Sequence, residues 1–288
     1  MLDILSSTAD LTDEGVDCSN YGCFEGIPSA RRVAGEFLGV PPEQTIVLGS
    51  SSLNIMQSVL IHYWEKGVPG HTPWSKLDHV KFLCPSPGYD RHFGPHRGPG
   101  GSRTSPVRMT ETGPDMDEVE RLCASDDSIK GMFCVPKYSN PTGVTYSDET
   151  VRRLATMKAA PDFRIVWDNA YVVHDLFDEG DELLNIHDVA REAGNADRVL
   201  AVASTSKITF PGAGVAFFGS SPANVEEVAS TLKVGLISAN KLNQLMHVRF
   251  LPDIEAVHAH MRKHAEHLRP RFEAVERKLS EGLGGTGC

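Results

Sequence analysis

The stretch 201–219 reads AVASTSKITFPGAGVAFFG and carries one lysine, Lys207, near its middle. An apolar run, residues 199–203, is long enough for one buried strand. Small hydroxyl residues flank the lysine, and Pro211 with two glycines predicts a turn after it. We expect the amine of Lys207 to be partly desolvated, which would lower its pKa and let it form a Schiff base with an aldehyde. A loop lysine that extends into solvent is the alternative, and this stretch taken alone favours it.

The composition excludes several classes of protein. The chain has 288 residues, of which 40% are hydrophobic and 23% charged, as is typical of a globular protein with one large or two ordinary domains. Its formal charge of −10 argues against nucleic acid as a partner, because binding phosphates needs a basic face. No apolar run is long enough to cross a membrane, and the N-terminus lacks a signal-peptide pattern. The six cysteines form no CxxC pair, which argues against a metal site and agrees with a reducing cytoplasm.

Short apolar runs alternate with segments of helical spacing along the chain. The predicted strands are 46–48, 80–84, 129–135, 164–171 and 199–203, and the predicted helices are 28–38, 53–64, 116–122, 148–158, 186–193, 224–232 and 253–279. This alternation predicts an α/β fold with a largely parallel sheet covered by helices on both faces. Ligands bind such sheets at the carboxyl ends of the strands. We therefore expect the site there.

Polar clusters follow several of these strands. Ser50 and Ser51 lie at a predicted helix N-terminus, which favours an anion, although an ordinary serine N-cap is equally consistent. Tyr89 follows the next strand and could stack on a planar ligand, although tyrosines more often pack in cores. The segment 94–106, rich in Gly, Pro and Arg, predicts a mobile loop that is neither helix nor strand.

Three motifs occur in one order: Asn140-Pro-Thr-Gly143, Asp168 with Tyr171 three residues on, and Ser204-Thr-Ser-Lys207. An NPTG alone is a weak signal, but the three at this spacing are specific. With them, the sequence resembles the fold-type I pyridoxal-phosphate enzymes. Within that group it is most similar to the aspartate-aminotransferase-like class I/II aminotransferases, particularly a divergent bacterial branch with YSNPTG and STSKITF. The resemblance covers about 16–285.

The resemblance implies pyridoxal 5′-phosphate as the cofactor and gives the motifs their roles. Lys207 would hold the cofactor as an aldimine and later move the proton between the substrate Cα and the cofactor. Asp168 would keep the pyridine nitrogen protonated, so that the ring can accept the electron pair left at Cα. Asn140 and Tyr171 would hydrogen-bond the phenolic oxygen of the ring, and Tyr89 would stack on its face.

The resemblance also implies how the phosphate is held. Ser50, Ser51 and Ser204 would donate hydrogen bonds to it. Tyr21 resembles the tyrosine that reaches the phosphate in the partner subunit, which implies a homodimer with shared active sites. The arginine that the family usually places eight residues after the lysine is replaced by Val215. We expect helix-dipole binding and a cation from elsewhere to compensate, with Lys241, either of the same chain or of the second subunit, as the hypothesis.

The resemblance divides the chain into three parts. Residues 1–20 form an N-terminal segment, 21–250 the large cofactor-binding domain, and 251–288 the start of a truncated small domain. The large domain is expected to have three α/β/α layers and a seven-stranded, mostly parallel sheet. The small domain of the family supplies an arginine for the substrate α-carboxylate, and the chain ends before it. The segment 94–106 stands where the family has a helix and a strand, and we expect neither there, so we interpret the chain as a fragment.

The function implied is transamination between an amino acid and a 2-oxo acid, in a ping-pong mechanism through a pyridoxamine form. Aspartate or glutamate as the amino acid rests on the branch resemblance alone. Another pyridoxal-phosphate reaction, of the β-lyase type, would use the same residues. A ligand-sensing domain without turnover, and a truncated chain that binds cofactor only, are the remaining alternatives; no basic helix-turn-helix segment supports the sensor.

Overall fold

The structure is a computed structural model that describes residues 10–93 and 103–284. Ten strands are present in this part of the chain. Their bounds are β1 Thr12–Asp13, β2 Val16–Asp17, β3 Thr45–Leu48, β4 Lys81–Ser86, β5 Arg103–Thr110, β6 Gly113–Pro114, β7 Ile129–Cys134, β8 Arg164–Asp168, β9 Val199–Ser204 and β10 Ala216–Gly219. β1 and β2 form a small antiparallel hairpin, and the other eight form one sheet.

Eight α-helices surround this sheet within the described residues. Their bounds are α1 Pro28–Leu38, α2 Ser52–Lys66, α3 Met116–Ser125, α4 Asp148–Thr156, α5 Ile186–Glu192, α6 Pro222–Gly235, α7 Lys241–Phe250 and α8 Ile254–Leu283. The predicted bounds of α1 agree with the structure. Pro28 sits in its first turn, where no N–H donor is needed, and Gly39 ends it with a left-handed φ of 69°. Ser147 caps α4 by accepting a hydrogen bond from the N–H of Thr150.

The strand order of the sheet is β3-β10-β9-β8-β7-β4-β5-β6. The five strands β9, β8, β7, β4 and β5 run parallel to one another, whereas β10 is antiparallel to both β9 and β3. β6 has two residues and pairs only with the end of β5. The mostly parallel sheet expected from the sequence is confirmed, with seven strands and this short eighth one.

Alternate residues of each strand face two separate cores. On β9, Ala201 packs in one core with helices α1, α3, α4, α5, α7 and α8, while Val202 packs in the other with α2 and α6. The same alternation holds on β8 for Trp167 and Val166. Because both faces of the sheet are buried under helices, the three-layer α/β/α architecture is confirmed.

Three segments differ from the prediction. Residues 103–106 were expected in a loop, but they begin β5, because β4 offers a parallel partner whose backbone pairs with it from Lys81 to Ser86. The rest of that predicted loop, 94–102, lies outside the described residues. β10 was not predicted either, since its four residues follow a turn-forming run without any alternation of polar residues. α7, for which the sequence predicted no element, is a ten-residue helix. The division into domains stays a prediction.

Candidate active site

The predicted site residues come from loops that leave the carboxyl ends of the parallel strands. Asp168 is the last residue of β8, and Ser204 is the last residue of β9. A 3₁₀ turn, Thr205–Lys207, follows β9 directly. Since β8 and β9 are neighbours in the sheet, Asp168 and Lys207 are brought to the same edge, as the sequence predicted.

Asp168 is buried, with 3% of its surface exposed. Its Oδ2 atom lies 3.5 Å from Nε2 of His92, and its Oδ1 atom is buried without a hydrogen-bond partner. A buried carboxylate oxygen without a donor is costly, and it is a matching acceptor for an N–H group of a bound molecule. A protonated ring nitrogen supplies that group, so this residue fits the pyridine ring of pyridoxal phosphate.

His92 belongs to the site, although no role was predicted for it. Its ring stacks on Phe133 at 4.7 Å with an interplanar angle of 22°, and Tyr89 contacts it edge-on at 5.2 Å. The imidazole is buried beside the Asp168 carboxylate, but its Nε2 atom has no hydrogen-bond partner. The position of His92 in the polar cluster Tyr89-Asp-Arg-His92, directly after β4, is the sequence signal that could have identified it as a site residue.

Tyr171, Asn140, Asp168 and Tyr89 are close enough to affect one another electrostatically. Burial raises the pKa of Tyr171, and the charges of Asp168 and Tyr89 raise it further, while a side-chain hydrogen bond with Asn140 lowers it. The hydroxyl of Tyr171 is therefore protonated at neutral pH and can donate a hydrogen bond. Four residues predicted from separate motifs are thus assembled in one place.

The turn that carries Lys207 is fixed by backbone and hydroxyl contacts. The hydroxyl of Thr205 accepts a hydrogen bond from the N–H of Val215 at 3.0 Å. A Cβ atom on Gly214 would lie 2.9 Å from that same hydroxyl, so this close approach requires glycine. Nζ of Lys207 lies 4.8 Å from the ring centroid of Tyr171.

Lys207 itself is exposed, which corrects the expectation of a desolvated amine. The small residues around it were expected to exclude water, but they are too small to cover the side chain. Pro211 and Gly212, which follow in the turn, are exposed as well. The residues next to Lys207 in sequence therefore do not shield its side chain from solvent.

His174 contacts Tyr171. The two rings meet edge-on with centroids 5.5 Å apart. Burial lowers the pKa of His174 to about 4, and the nearby charges of Lys207 and His264 act in the same direction. The imidazole is therefore neutral at pH 7.

The predicted phosphate residues lie beside the lysine turn. Ser204 donates to the hydroxyl of Ser206 at 3.1 Å, and Ser206 donates to the carbonyl of Ser50 at 2.9 Å. This chain of bonds joins the loop after β3 to the turn after β9. Ser51 is the N-cap residue of α2, but its side chain makes no capping hydrogen bond, so its hydroxyl remains available. Backbone N–H groups at such a helix start favour an anion.

The cation proposed for the phosphate is not Lys241. Its side chain is buried, and Nζ donates to the carbonyls of Asp17 at 2.6 Å and Tyr21 at 3.1 Å. The lysine therefore anchors the N-terminal segment of its own chain, and the hypothesis that it binds the phosphate is wrong for this structure. Val215, at the usual arginine position, is buried in the core. The ring of Tyr21 is 75% exposed, and its reach into a partner subunit stays a prediction.

Metal chemistry and membrane insertion find no support in this part of the chain. No group of three or more His, Cys, Asp or Glu side chains within 10–93 and 103–284 is placed to hold a metal ion. The five cysteines in these ranges are free thiols. Burial raises the pKa of Cys84 and of Cys123 to about 12, so neither is a ready nucleophile. None of the described helices is long and apolar enough to cross a bilayer.

Comparison with known proteins places this geometry in a family. The family model described as aspartate amino-transferase matches residues 1–288. The chain belongs to the aspartate aminotransferase family. It is 46% identical over 276 residues to an aspartate aminotransferase from Corynebacterium glutamicum, an alignment that covers 95% of this chain and 63% of that protein.

Solved structures of aminotransferases have the same fold. The crystal structure of an aspartate transaminase from Corynebacterium glutamicum superimposes with a TM-score of 0.94 at 44% identity, covering 99% of this chain and 68% of that one. An α-aminoadipate aminotransferase from Thermus thermophilus, complexed with N-(5′-phosphopyridoxyl)-L-leucine, superimposes with a TM-score of 0.73 at 24% identity, covering 93% of this chain and 64% of that one. The second likeness concerns the fold alone. This chain spans about 63% of the length of the curated family members it matches at 46% identity.

Proposed function

We propose that this chain is the cofactor-binding part of a pyridoxal-phosphate-dependent transaminase, which moves an amino group between an amino acid and a 2-oxo acid. The observation that carries the proposal is the buried Asp168 carboxylate, whose Oδ1 atom lacks a donor at the strand end next to Lys207. Membership of the aspartate aminotransferase family supports it. When bound, pyridoxal phosphate supplies a protonated ring that withdraws the electron pair left at the substrate Cα.

The residues of the chain would divide the work of binding. Asp168 would accept the hydrogen bond of the ring nitrogen and balance its charge, with the His92 imidazole 3.5 Å from the other carboxylate oxygen. Asn140 and Tyr171 would donate to the phenolic oxygen. Tyr89 would pack against a face of the ring.

The phosphate and the moving proton would be handled at the end of β9 and the start of α2. Ser50, Ser51 and Ser204 would donate hydrogen bonds to the phosphate, together with the N–H groups at the start of α2. Lys207 would hold the cofactor and, once freed by the substrate, take the proton from Cα and return it elsewhere on the product. Its exposed side chain has the freedom that such a movement needs.

Aspartate or glutamate is proposed as the amino donor, because relatives at 46% identity include an aspartate aminotransferase. A relative at 24% identity is named a 2-aminoadipate transaminase, which keeps the donor open among dicarboxylic amino acids. We also propose a homodimer with shared sites, in which Tyr21 reaches the phosphate of the partner subunit, and a cytoplasmic location. A β-lyase reaction would use the same residues, and no contact in the site separates it from transamination.

A second candidate is a cofactor-binding chain without turnover. It is favoured by the exposure of Lys207, because an amine in contact with water is less readily activated as a nucleophile than a desolvated one. Such a chain would bind pyridoxal phosphate, but no amino acid would convert the bound cofactor to another form.

The test is an absorption spectrum of the purified chain with pyridoxal phosphate, followed by borohydride reduction and peptide mapping. The expected result is a visible band that is reduced onto Lys207 and bleached by aspartate but not by alanine. A band that no amino acid bleaches would favour the second candidate. Failure of the chain to form any reducible band would overturn the proposal. Lys233, an exposed lysine paired with Glu25, provides the control variant Lys233→Ala, which should label like the wild type.

A further inference from the structure

Asn140 and Tyr171 are carried by two different loops, and one carboxylate joins these loops. Asn140 lies beyond β7, and Tyr171 lies beyond β8. Oδ1 of Asp175 accepts hydrogen bonds from Nζ of Lys137 and from the hydroxyl of Tyr138, both at 2.7 Å. The donors stand two and three residues before Asn140, and the acceptor stands four residues after Tyr171.

Further contacts strengthen the link around Asp175. Nζ of Lys137 also donates to the carbonyl of Val172 at 3.2 Å. The N–H of Asp181 donates to the hydroxyl of Tyr138 at 2.9 Å. The two side chains that precede Asn140 therefore hold the segment after Tyr171 at both of its ends.

The ion pair is largely shielded from water. The Lys137 side chain is 8% exposed and that of Asp175 is 28% exposed. Burial alone would raise the pKa of Asp175, but hydrogen bonds from Lys137 and Tyr138 hold it below its usual range. A charge-assisted pair of this kind is stronger than an exposed one, because water competes less for both partners.

The backbone around the link is adapted to it. Tyr138 has a φ of 50°, in the left-handed region that residues other than glycine rarely adopt. A Cβ atom on Gly180 would lie 2.3 Å from Cγ of Asp175, so the loop can close over the carboxylate only with glycine. Such local strain persists where surrounding contacts over-determine the geometry.

We propose that Asp175 is a positioning residue, which ties the Asn140 loop to the Tyr171 loop so that both side chains meet one oxygen of the bound ring. This inference rests on the proposed function, because that oxygen belongs to pyridoxal phosphate. Asp175 does not contact the ring itself. It acts through Lys137 and Tyr138, which set the place of Asn140.

The first test uses amide hydrogen exchange in the cofactor-free chain and compares the wild type with Asp175→Ala. Removing the carboxylate should speed amide exchange of residues 138–143 and 171–176 by at least about tenfold. In the wild type, local opening of these loops must break the ion pair between Lys137 and Asp175, and in the variant it costs less free energy. Asp178→Ala is the matched control, since Asp178 lies in the same segment, its side chain is 94% exposed, and its partner is Arg269. Equal exchange in the wild type and Asp175→Ala would overturn the proposed link.

The second test titrates the visible band of the cofactor-loaded protein with pH. In Asp175→Ala the midpoint should shift by at least about half a pH unit, because hydrogen bonds to the phenolic oxygen set that midpoint. Asp175→Asn, which can still accept hydrogen bonds, should give a smaller shift. An unchanged midpoint, with only the melting temperature lowered, would show a structural role and overturn the inference.

The two proposals fail in different ways. A wild-type chain that forms no reducible band with pyridoxal phosphate would overturn the proposed function, and the positioning role with it. A wild-type chain that forms the band, with Asp175→Ala matching it in either exchange or midpoint, would overturn the role of Asp175 alone.

Discussion

Asp168 and Lys207 follow neighbouring strands of one sheet, yet one is buried and the other exposed. Asp168 lies beside His92, whose buried ring comes from the loop after β4 and stacks on Phe133 of β7. Lys207 lies three residues beyond β9, in a turn whose following residues carry no large buried side chain except Ile208. Position at the end of a parallel strand therefore brings a residue to the site, but the loops above it decide its contact with water.

The burial of Asp168 and the exposure of Lys207 suit two different roles in the proposed reaction. A carboxylate that must hold one ring nitrogen benefits from a rigid, dry setting, where its hydrogen bond is strong. A lysine that must bind, release and carry a proton needs room to move. Four measurements of stability and binding test the contrast between the buried and the exposed parts of the site.

The largest effect is expected from two histidines, His174 and His187, whose imidazoles are shielded from water. Burial lowers the pKa of His174, beside Lys207, and of His187, at the start of α5, to about 4. Above pH 6.5 both histidines are neutral in the folded and in the unfolded protein, so their protonation contributes nothing to the free energy of unfolding. As the pH falls towards 4, the unfolded chain binds protons that the folded chain does not, so stability should fall by about 3 kcal/mol per histidine.

Urea unfolding between pH 7 and pH 4 checks this expectation. His174→Gln and His187→Gln should each lose less stability over that range than the wild type. A His174→Gln slope equal to that of the wild type would show that the imidazole beside Lys207 is open to solvent like the lysine itself.

A smaller effect is expected for the buried lysine of the chain. Lys241→Ala leaves the carbonyls of Asp17 and Tyr21 without their donor, which should cost about 1–3 kcal/mol of unfolding free energy. Pyridoxal-phosphate affinity should stay within about twofold. Denaturant unfolding and a fluorescence titration measure the two quantities. Lost affinity with unchanged stability would restore Lys241 as a phosphate ligand.

Asp168→Asn should separate stability from binding. Removing a buried charge with an unpartnered oxygen should raise the free energy of unfolding of the cofactor-free chain by about 1 kcal/mol. Affinity for pyridoxal phosphate should fall by about tenfold or more, because an amide cannot balance a protonated ring nitrogen. A clear loss of stability instead would mean that the carboxylate supports the fold through His92.

The smallest effect on stability is expected for Lys207→Ala. An exposed side chain contributes little to folding, so the free energy of unfolding should change by less than about 0.5 kcal/mol. Borohydride labelling of the chain should disappear in the same variant. A destabilisation above 1 kcal/mol would contradict the exposed setting described here.

The sequence predicted most of the elements that build the site, and the misses have physical causes. Helices with clear apolar spacing, such as α1, were predicted with the bounds they have. β5 and β10 were missed, because their residues become strands through pairing with β4 and β9, and pairing over such distances leaves no local signal. The site residues Asp168, Asn140 and Tyr171 were found from motifs, and the structure brings them together.

The setting or the role of three residues was not predicted from the sequence: Lys207, Lys241 and Asp175. A lysine among small residues was expected to be dry and is exposed, while a lysine expected at the phosphate is buried against the N-terminal segment. Asp175 stands in no motif. Its importance follows only from two loops, more than thirty residues apart in sequence, that meet at its carboxylate.

Most of the strands and helices, the family, and the residue types that would hold a ring and its phosphate could be predicted from the amino-acid sequence. These follow from local periodicity and short motifs, which do not depend on distant contacts. Which of those side chains are buried, and which unpredicted residues hold them, depends on the folded structure. Burial depends on what other parts of the chain place above a residue, and that is settled when distant strands and loops pack together.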